Sequence, residues 1–184
     1  MELNTLEICE ALPSAAARCL VVTEGGRLVP LLQKIGGEVL IERVASKNPL
    51  QLIRNFFALS KIIKKHQVDL LHAHSRAPAW SALWAARISG CPLVTTYHGA
   101  YGEKNKIKSL YNSVMARGDR VVAVSKYIKD LIVARYHLPS SKICVVHGGI
   151  DLKKFDPGAI SSTQREELRK KWNISFHDRV LFLP

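Results

Sequence analysis

Carboxylates are scarce in this sequence. Its 184 residues carry 15 Asp and Glu against 27 Lys and Arg, a formal net charge of +12. That imbalance favours anionic partners: nucleic acid, an anionic membrane surface or a phosphorylated substrate. Cysteines are few and scattered. Cys9, Cys19, Cys91 and Cys144 include no C-x-x-C pair and have no histidine at zinc-finger spacing, which speaks against a secreted disulfide framework and for a reducing cytosol. Cys19, Cys91 and Cys144 lie in or beside apolar runs and read as buried free thiols. Long apolar runs are missing as well. No stretch approaches the ~20 residues of a membrane span, and the N-terminus lacks the basic-then-apolar pattern of a secretory signal. Neither G-x-x-x-x-G-K-[ST], G-x-G-x-x-G nor G-x-S-x-G occurs, so the P-loop, ordinary dinucleotide and nucleophile-elbow readings lose support.

What is present alternates. Short, mostly continuous apolar runs occur at Cys19 to Thr23, Val39 to Ile41, Val68 to Ala73, Leu93 to Thr96, Arg120 to Val124, Ile143 to Val146 and Val180 to Leu183. Continuous runs of this kind predict strands covered by helices on both sheet faces. Helical spacing appears between them. Leu52, Phe56, Leu59 and Ile63 form one stripe, and Ile107, Leu110, Tyr111 and Val114 another. Further helices are expected over Leu3 to Leu12, Pro78 to Ser89, Lys126 to Tyr136 and Thr163 to Trp172, with Pro49 at a first helical turn and Gly90 at a helix end. The alternation predicts an α/β fold with a Rossmann-like parallel sheet. Phe155 to Ser162 reads as a linker, followed by one helix and one strand that lack a core of their own.

In an open α/β sheet, ligands bind beyond the carboxyl ends of the strands. Four of the seven histidines, His72, His74, His98 and His147, lie at those ends. His72 and His74 are two apart and share a face. A metal would need His98 as a third ligand, and no acidic residue in the His72–Arg76 or Tyr97–Tyr101 segments supports the rings, so no metal is expected. Thr95-Thr96-Tyr97-His98-Gly99 is the sharpest local signal. An imidazole at a strand end, beside a glycine, can donate to a hydroxyl or phosphate oxygen or act as acid or base near neutral pH. Gly25-Gly26 and Gly148-Gly149 read either as phosphate-approach turns or as plain turns. Lys104, Lys106 and Lys108, with Tyr101 nearby, read either as a solvated face, as a membrane-facing basic patch with an aromatic anchor or as a nucleic-acid patch. The last lacks any reader motif.

The segments HAHSRAPAW (His72 to Trp80), TTYHGAYG (Thr95 to Gly102), RVVAVSKYIKD (Arg120 to Asp130) and VVHGGIDLKKF (Val145 to Phe155), in this order, resemble the N-terminal half of family 4 retaining glycosyltransferases. The resemblance implies the N-terminal half of a two-domain GT-B fold. Residues 1–155 would be the acceptor-side domain, with its first strand and Gly-Gly loop expected before Met1. Residues 156–184 would be a linker, helix and first strand of the donor-binding domain, whose remainder is expected beyond Pro184 or from a separate chain. It implies transfer of a hexose-type sugar from a nucleotide-sugar to a glycan or glycolipid of the lipopolysaccharide or capsule kind, with no cofactor beyond the donor. His98 would be the catalytic group, stabilising charge as the diphosphate leaves. His74, Arg76, Tyr97, Gly99, Tyr101, Ser125 and Lys126 would contact substrate. Gly148, Gly149 and Asp151 would form the hinge turn, where the family's P-N-G-[VI]-D stands as His147-Gly148-Gly149-Ile150-Asp151. The chain alone is expected to be inactive, and to reside in the cytoplasm or on the inner face of the cytoplasmic membrane. A non-catalytic basic module for anionic lipid or glycolipid is the competing reading; nucleic acid is not an expected partner.

Overall fold

The computed structural model describes residues 2–152, 154–175 and 177–181. They form two compact units, Met1–Gly148 and Gly149–Pro184. The first unit holds all six strands: β1 (Leu20–Thr23), β2 (Glu38–Ile41), β3 (Leu71–Ala73), β4 (Leu93–Tyr97), β5 (Arg120–Ala123) and β6 (Ile143–Val145). Helices α1 (Glu2–Ala11) and α2 (Val29–Lys34) flank β1. Helices α3 (Pro49–His66), α4 (Arg76–Ser89), α5 (Lys106–Asn112) and α6 (Lys126–Tyr136) then link each strand to the next. Every strand pairing is parallel, as β-α-β connections require.

The strands divide into two sheets, one pairing β1 with β2 and one running β3-β4-β5-β6. Each of β1 and β3 thus has one strand neighbour. That division has a local signature. The residues of β1 are all half-exposed, whereas four of the five in β4 are buried.

Element boundaries follow backbone chemistry. Asn48 caps α3 by accepting from Leu50 N at 2.9 Å, and Pro49 opens the helix. The helix stops at Gln67, which adopts φ 51°, and Val68 N bonds back to the Ile63 carbonyl. This closure takes Val68 out of the strand expected there, so β3 starts only at Leu71. Gly90, at φ 69°, ends α4. Helix α2 was not legible; it is short and follows Gly25-Gly26, which take φ of 98° and 137°.

The core lies between the four-stranded sheet and its helices. Leu93, Tyr97, Val121 and Ile143 from the strands meet Ala79, Leu83 and Ala86 of α4, Ile132 of α6, and Val114 and Met115 of a 3-10 turn at Ser113–Ala116. Small buried side chains on α4 let α3 lie close, and buried Ser81 Oγ donates to the Leu52 carbonyl across that seam at 3.0 Å. The stripe expected at Ile107 to Val114 divides. Val114 is buried, but Ile107 and Leu110 are exposed, because α5 ends at Asn112 and the chain tightens into the 3-10 turn. Cys9 and Cys91 are buried, Cys19 is half-buried and Cys144 is exposed, contrary to its expected burial; all four are free.

In the second unit, a 3-10 turn at Pro157–Ala159 interrupts the expected linker, and α7 (Ser162–Lys171) follows behind a Ser161–Gln164 capping box. Val180 and Leu181 are not in a strand; Phe182 and Leu183, the rest of that expected element, lie outside the described residues. No helix among the described residues is long and apolar enough to cross a membrane.

Gly118 sits where the chain turns into β5. A Cβ there would lie 2.7 Å from the Arg120 carbonyl oxygen and 3.0 Å from that of Leu93. Gly118→Ala should therefore destabilise the protein by about 1–3 kcal/mol through overpacking against backbone, read as a lower urea unfolding midpoint.

Candidate functional site

Because β3 to β6 are parallel neighbours, their carboxyl ends emerge along one edge. His74, His98, Ser125 and His147 each follow one of these ends by one or two residues. The structure brings three imidazoles together there. His72 and His74 rings lie 4.1 Å apart, His74 and His98 rings 5.4 Å, and His74 Nδ1 is 3.2 Å from His98 Nε2. His72 Nε2 lies 2.7 Å from the hydroxyl of buried Thr96. Among the described residues, no three His, Cys, Asp or Glu side chains are placed to hold a metal ion.

The trio is held neutral. Burial lowers the pKa of His74 to about 3, helped by the positive charge that His72 or His98 would carry. Burial lowers His72 as well, then His98's charge, and burial lowers His98. Among the described residues, no carboxylate is bonded to the rings to reverse this. At neutral pH each ring is therefore a donor on one nitrogen and an acceptor on the other.

The loop after β4 is anchored away from the histidines. Glu103 accepts from Tyr136 OH and from Ser109 Oγ, and pairs with Arg135 at 3.8 Å. Arg135 Nη1 also donates to the Tyr101 carbonyl at 2.6 Å, and Asn112 Nδ2 donates to that of Gly102. Sequence reading missed Glu103, Asn112, Arg135 and Tyr136. One signal was available: Glu103 is the single carboxylate between Asp69 and Asp119.

Other expected contacts sit differently. Tyr97 is fully buried, its ring 4.6 Å from that of Tyr101 and its hydroxyl 3.3 Å from Tyr136 OH, so it serves the core rather than the surface. Arg76 stacks on Tyr101 at 4.3 Å and donates to Asn112 Oδ1 at 2.7 Å, a supporting role for the loop. Beside Gly99 there is open space, since a Cβ there would meet nothing within 4 Å. Ser125 Oγ caps α6 by accepting from Ile128 N at 3.2 Å. Lys126 is exposed and bonded to Asp130 at 2.8 Å. Gly148 is exposed and closes the first unit; Gly149 and Asp151 fall in the second. There Asp151 Oδ1 accepts from Lys154 N at 3.0 Å, forming a local turn.

Two outcomes are expected. Neutral His74 takes up protons far below the unfolded value of 6.5, so its contribution to stability is complete above that value and is lost as pH falls toward about 3. The urea midpoint should therefore drop on acidification from neutral pH to about 5, and His74→Gln should flatten that slope. Ser125→Ala should cost about 1 kcal/mol in chemical denaturation, with Ser125→Asp retaining the cap.

The profile of Glycosyltransferase Family 4 matches residues 1–154. The Escherichia coli UDP-Gal:alpha-D-GlcNAc-diphosphoundecaprenol alpha-1,3-galactosyltransferase is 27% identical, over 63% of this chain and 32% of its own length. The Campylobacter jejuni N,N'-diacetylbacillosaminyl-diphospho-undecaprenol alpha-1,3-N-acetylgalactosaminyltransferase is 23% identical, over 97% of this chain and 51% of its own. A crystallised glycosyltransferase from Rickettsia africae superposes with a TM-score of 0.80 at 33% identity, covering 96% of this chain and 46% of that one. The chain thus spans about half the length, or less, of these relatives.

Proposed function

The chain belongs to glycosyltransferase family 4, and from that premise we propose that it is the acceptor-side part of an enzyme moving a hexose-type sugar from a nucleotide-sugar to a polyprenyl-diphosphate-linked or other glycolipid acceptor of the cell envelope. The observation that carries this reading is the neutral His72–His74–His98 cluster at the carboxyl edge of a parallel sheet, with open space at Gly99. Both undecaprenol-specific relatives act on lipid-linked saccharides, and one takes UDP-galactose. In transfer, the bond between the sugar's anomeric carbon and the diphosphate oxygen breaks. A bond from an acceptor hydroxyl oxygen forms, and the hydroxyl proton leaves with the diphosphate or a nearby base. Negative charge grows on the leaving diphosphate.

A neutral imidazole N–H from His98 is suited to that charge. It donates without carrying a counter-charge that would bind the ground state equally well. His74 orients His98 by sharing one ring nitrogen's hydrogen bond. Arg76, Tyr101 and the Glu103 network hold the loop in place, and Ser125 and Lys126 border the same edge. Retention of anomeric configuration belongs to this proposal, as do the hinge role of Gly148, Gly149 and Asp151 and the absence of any cofactor beyond the donor. So does a site of action at the cytoplasmic membrane surface.

The test is transfer of label from UDP-sugars to polyprenyl-diphosphate saccharides in detergent, on the protein expressed from its own locus. Label should reach the lipid product, with the donor's anomeric configuration seen by NMR. His98→Ala should lower kcat on the order of a hundredfold or more with little change in acceptor KM. Absence of transfer with every UDP-sugar tried, or an unchanged kcat in His98→Ala, would count against the reading. Inverted configuration would remove the retaining mechanism alone.

A further inference from the structure

The loop at residues 98–102 carries His98 and Gly99 out of β4 and has little of its own to hold it. Among the described residues, no backbone–backbone hydrogen bond ties residues 99–104. Two of the loop's carbonyls are taken by side chains instead, Tyr101's by Arg135 at 2.6 Å and Gly102's by buried Asn112 at 3.2 Å. A segment held by side chains keeps one conformation only where those side chains are themselves fixed.

The two residues that bracket the loop, Tyr97 and Glu103, meet at one oxygen. The Tyr136 hydroxyl donates to Glu103 Oε1 and lies 3.3 Å from the Tyr97 hydroxyl. Counting protons orders the chain. As a carboxylate Glu103 can only accept, so Tyr136 gives its one proton there, and Tyr97 donates to the Tyr136 oxygen. Burial raises the pKa of both tyrosines, and the bond to Glu103 adds to the rise at Tyr136, so both phenols are protonated at neutral pH. Three groups in series, ending on an ionised acceptor, strengthen one another. Their supports are firm. Tyr97 is fully buried at the end of β4, and Tyr136 lies one turn beyond buried Ile132 on α6 and packs on the core. Glu103 also accepts from Ser109 Oγ at 3.2 Å and pairs with Arg135 at 3.8 Å.

We propose that Tyr136 is the positioning residue of the His98 loop: its hydroxyl joins Tyr97 to Glu103 and so fixes the span of residues 98–102 at the edge where the imidazoles gather. The Glu103–Arg135 ion pair is secondary, since 3.8 Å is beyond hydrogen-bond range and both partners keep some contact with solvent. His98 follows Tyr97 directly, so freedom in the loop becomes error in the placement of its ring. A misplacement on the order of 1 Å is enough to lower a rate about a hundredfold. The inference rests on the proposed transfer for this effect on rate alone; the hold on the loop needs no substrate.

Backbone amide order parameters from NMR relaxation test it. Those of Gly99, Ala100 and Gly102 should be about 0.85 in the parent and fall below about 0.6 in Tyr136→Phe, which keeps the ring and removes the hydroxyl. Glu103→Ala removes the acceptor and should loosen the loop equally, and the double variant should add nothing further. Glu103→Gln keeps an acceptor for Tyr136 and should stay near the parent. Tyr127→Phe, on an exposed position of the same helix, should match the parent. In transfer from UDP-sugars to polyprenyl-diphosphate saccharides, Tyr136→Phe should lower kcat about tenfold with acceptor KM little changed, and Glu103→Gln should keep most of the rate that Glu103→Ala loses. A loop already mobile in the parent overturns the proposal, as does one that stays rigid in Tyr136→Phe. Equal loosening in Glu103→Gln overturns it too, by giving the hold to the ion pair. A loosened loop with kcat unchanged removes the positioning role. A parent that transfers nothing counts against the proposed function, and the order parameters still decide whether Tyr136 holds the loop.

Discussion

Strand β4 is paired on both sides and buried along nearly its whole length, and the rest of the site follows from that placement. Its neighbours run parallel to it, so their carboxyl ends must leave the sheet at the same edge. Leu93 and Tyr97 lock β4 into the core, and Thr95 Oγ1 donates to the Met115 carbonyl behind it at 2.6 Å. The next residue, His98, is delivered to the surface with little freedom. The pairing of Ala73 with Thr95 brings His74 alongside. Two histidines 24 residues apart meet because a register, not a local motif, aligns them.

The charges around this edge are arranged by separation. The one carboxylate of the long central segment, Glu103, is bonded to Tyr136 and Arg135 behind the loop and stays clear of the imidazoles. Burial raises the pKa of Tyr136, and the hydrogen bond to Glu103 adds to it, so the tyrosine stays a donor. Had that acid stood among the histidines it would have favoured their charged forms. Instead they are neutral at neutral pH, and the loop is held by groups other than the histidines.

The same scarcity of carboxylates gives the outer surface its character. Where α1 and α7 carry acids, α3, α4 and α5 carry none, and their inward faces are satisfied by the core. Their outward faces are left apolar and cationic. Acids would be costly on the buried side.

Much of the architecture was legible in the sequence, because it depends on local chemistry. Continuous β-branched runs marked six strands, Pro49 and Gly90 marked helix ends, and the His-Gly pair at 98–99 marked a strand end. Helix α2 was not legible because six residues carry too little periodicity, and Val68 misled because a helix cap claimed its amide. The parallel pairings alone decided which strand ends adjoin, and so which histidines touch. Packing alone turned Tyr97 inward, gave Arg76 to Asn112 and Tyr101, and exposed Ile107 and Leu110 despite their helical spacing. The sequence by itself determined the order of elements and the sign of the charge, since both reside in neighbouring residues. Only the tertiary structure decided the site and the outer face, since both are made by residues that meet across strands and helices far apart in the chain.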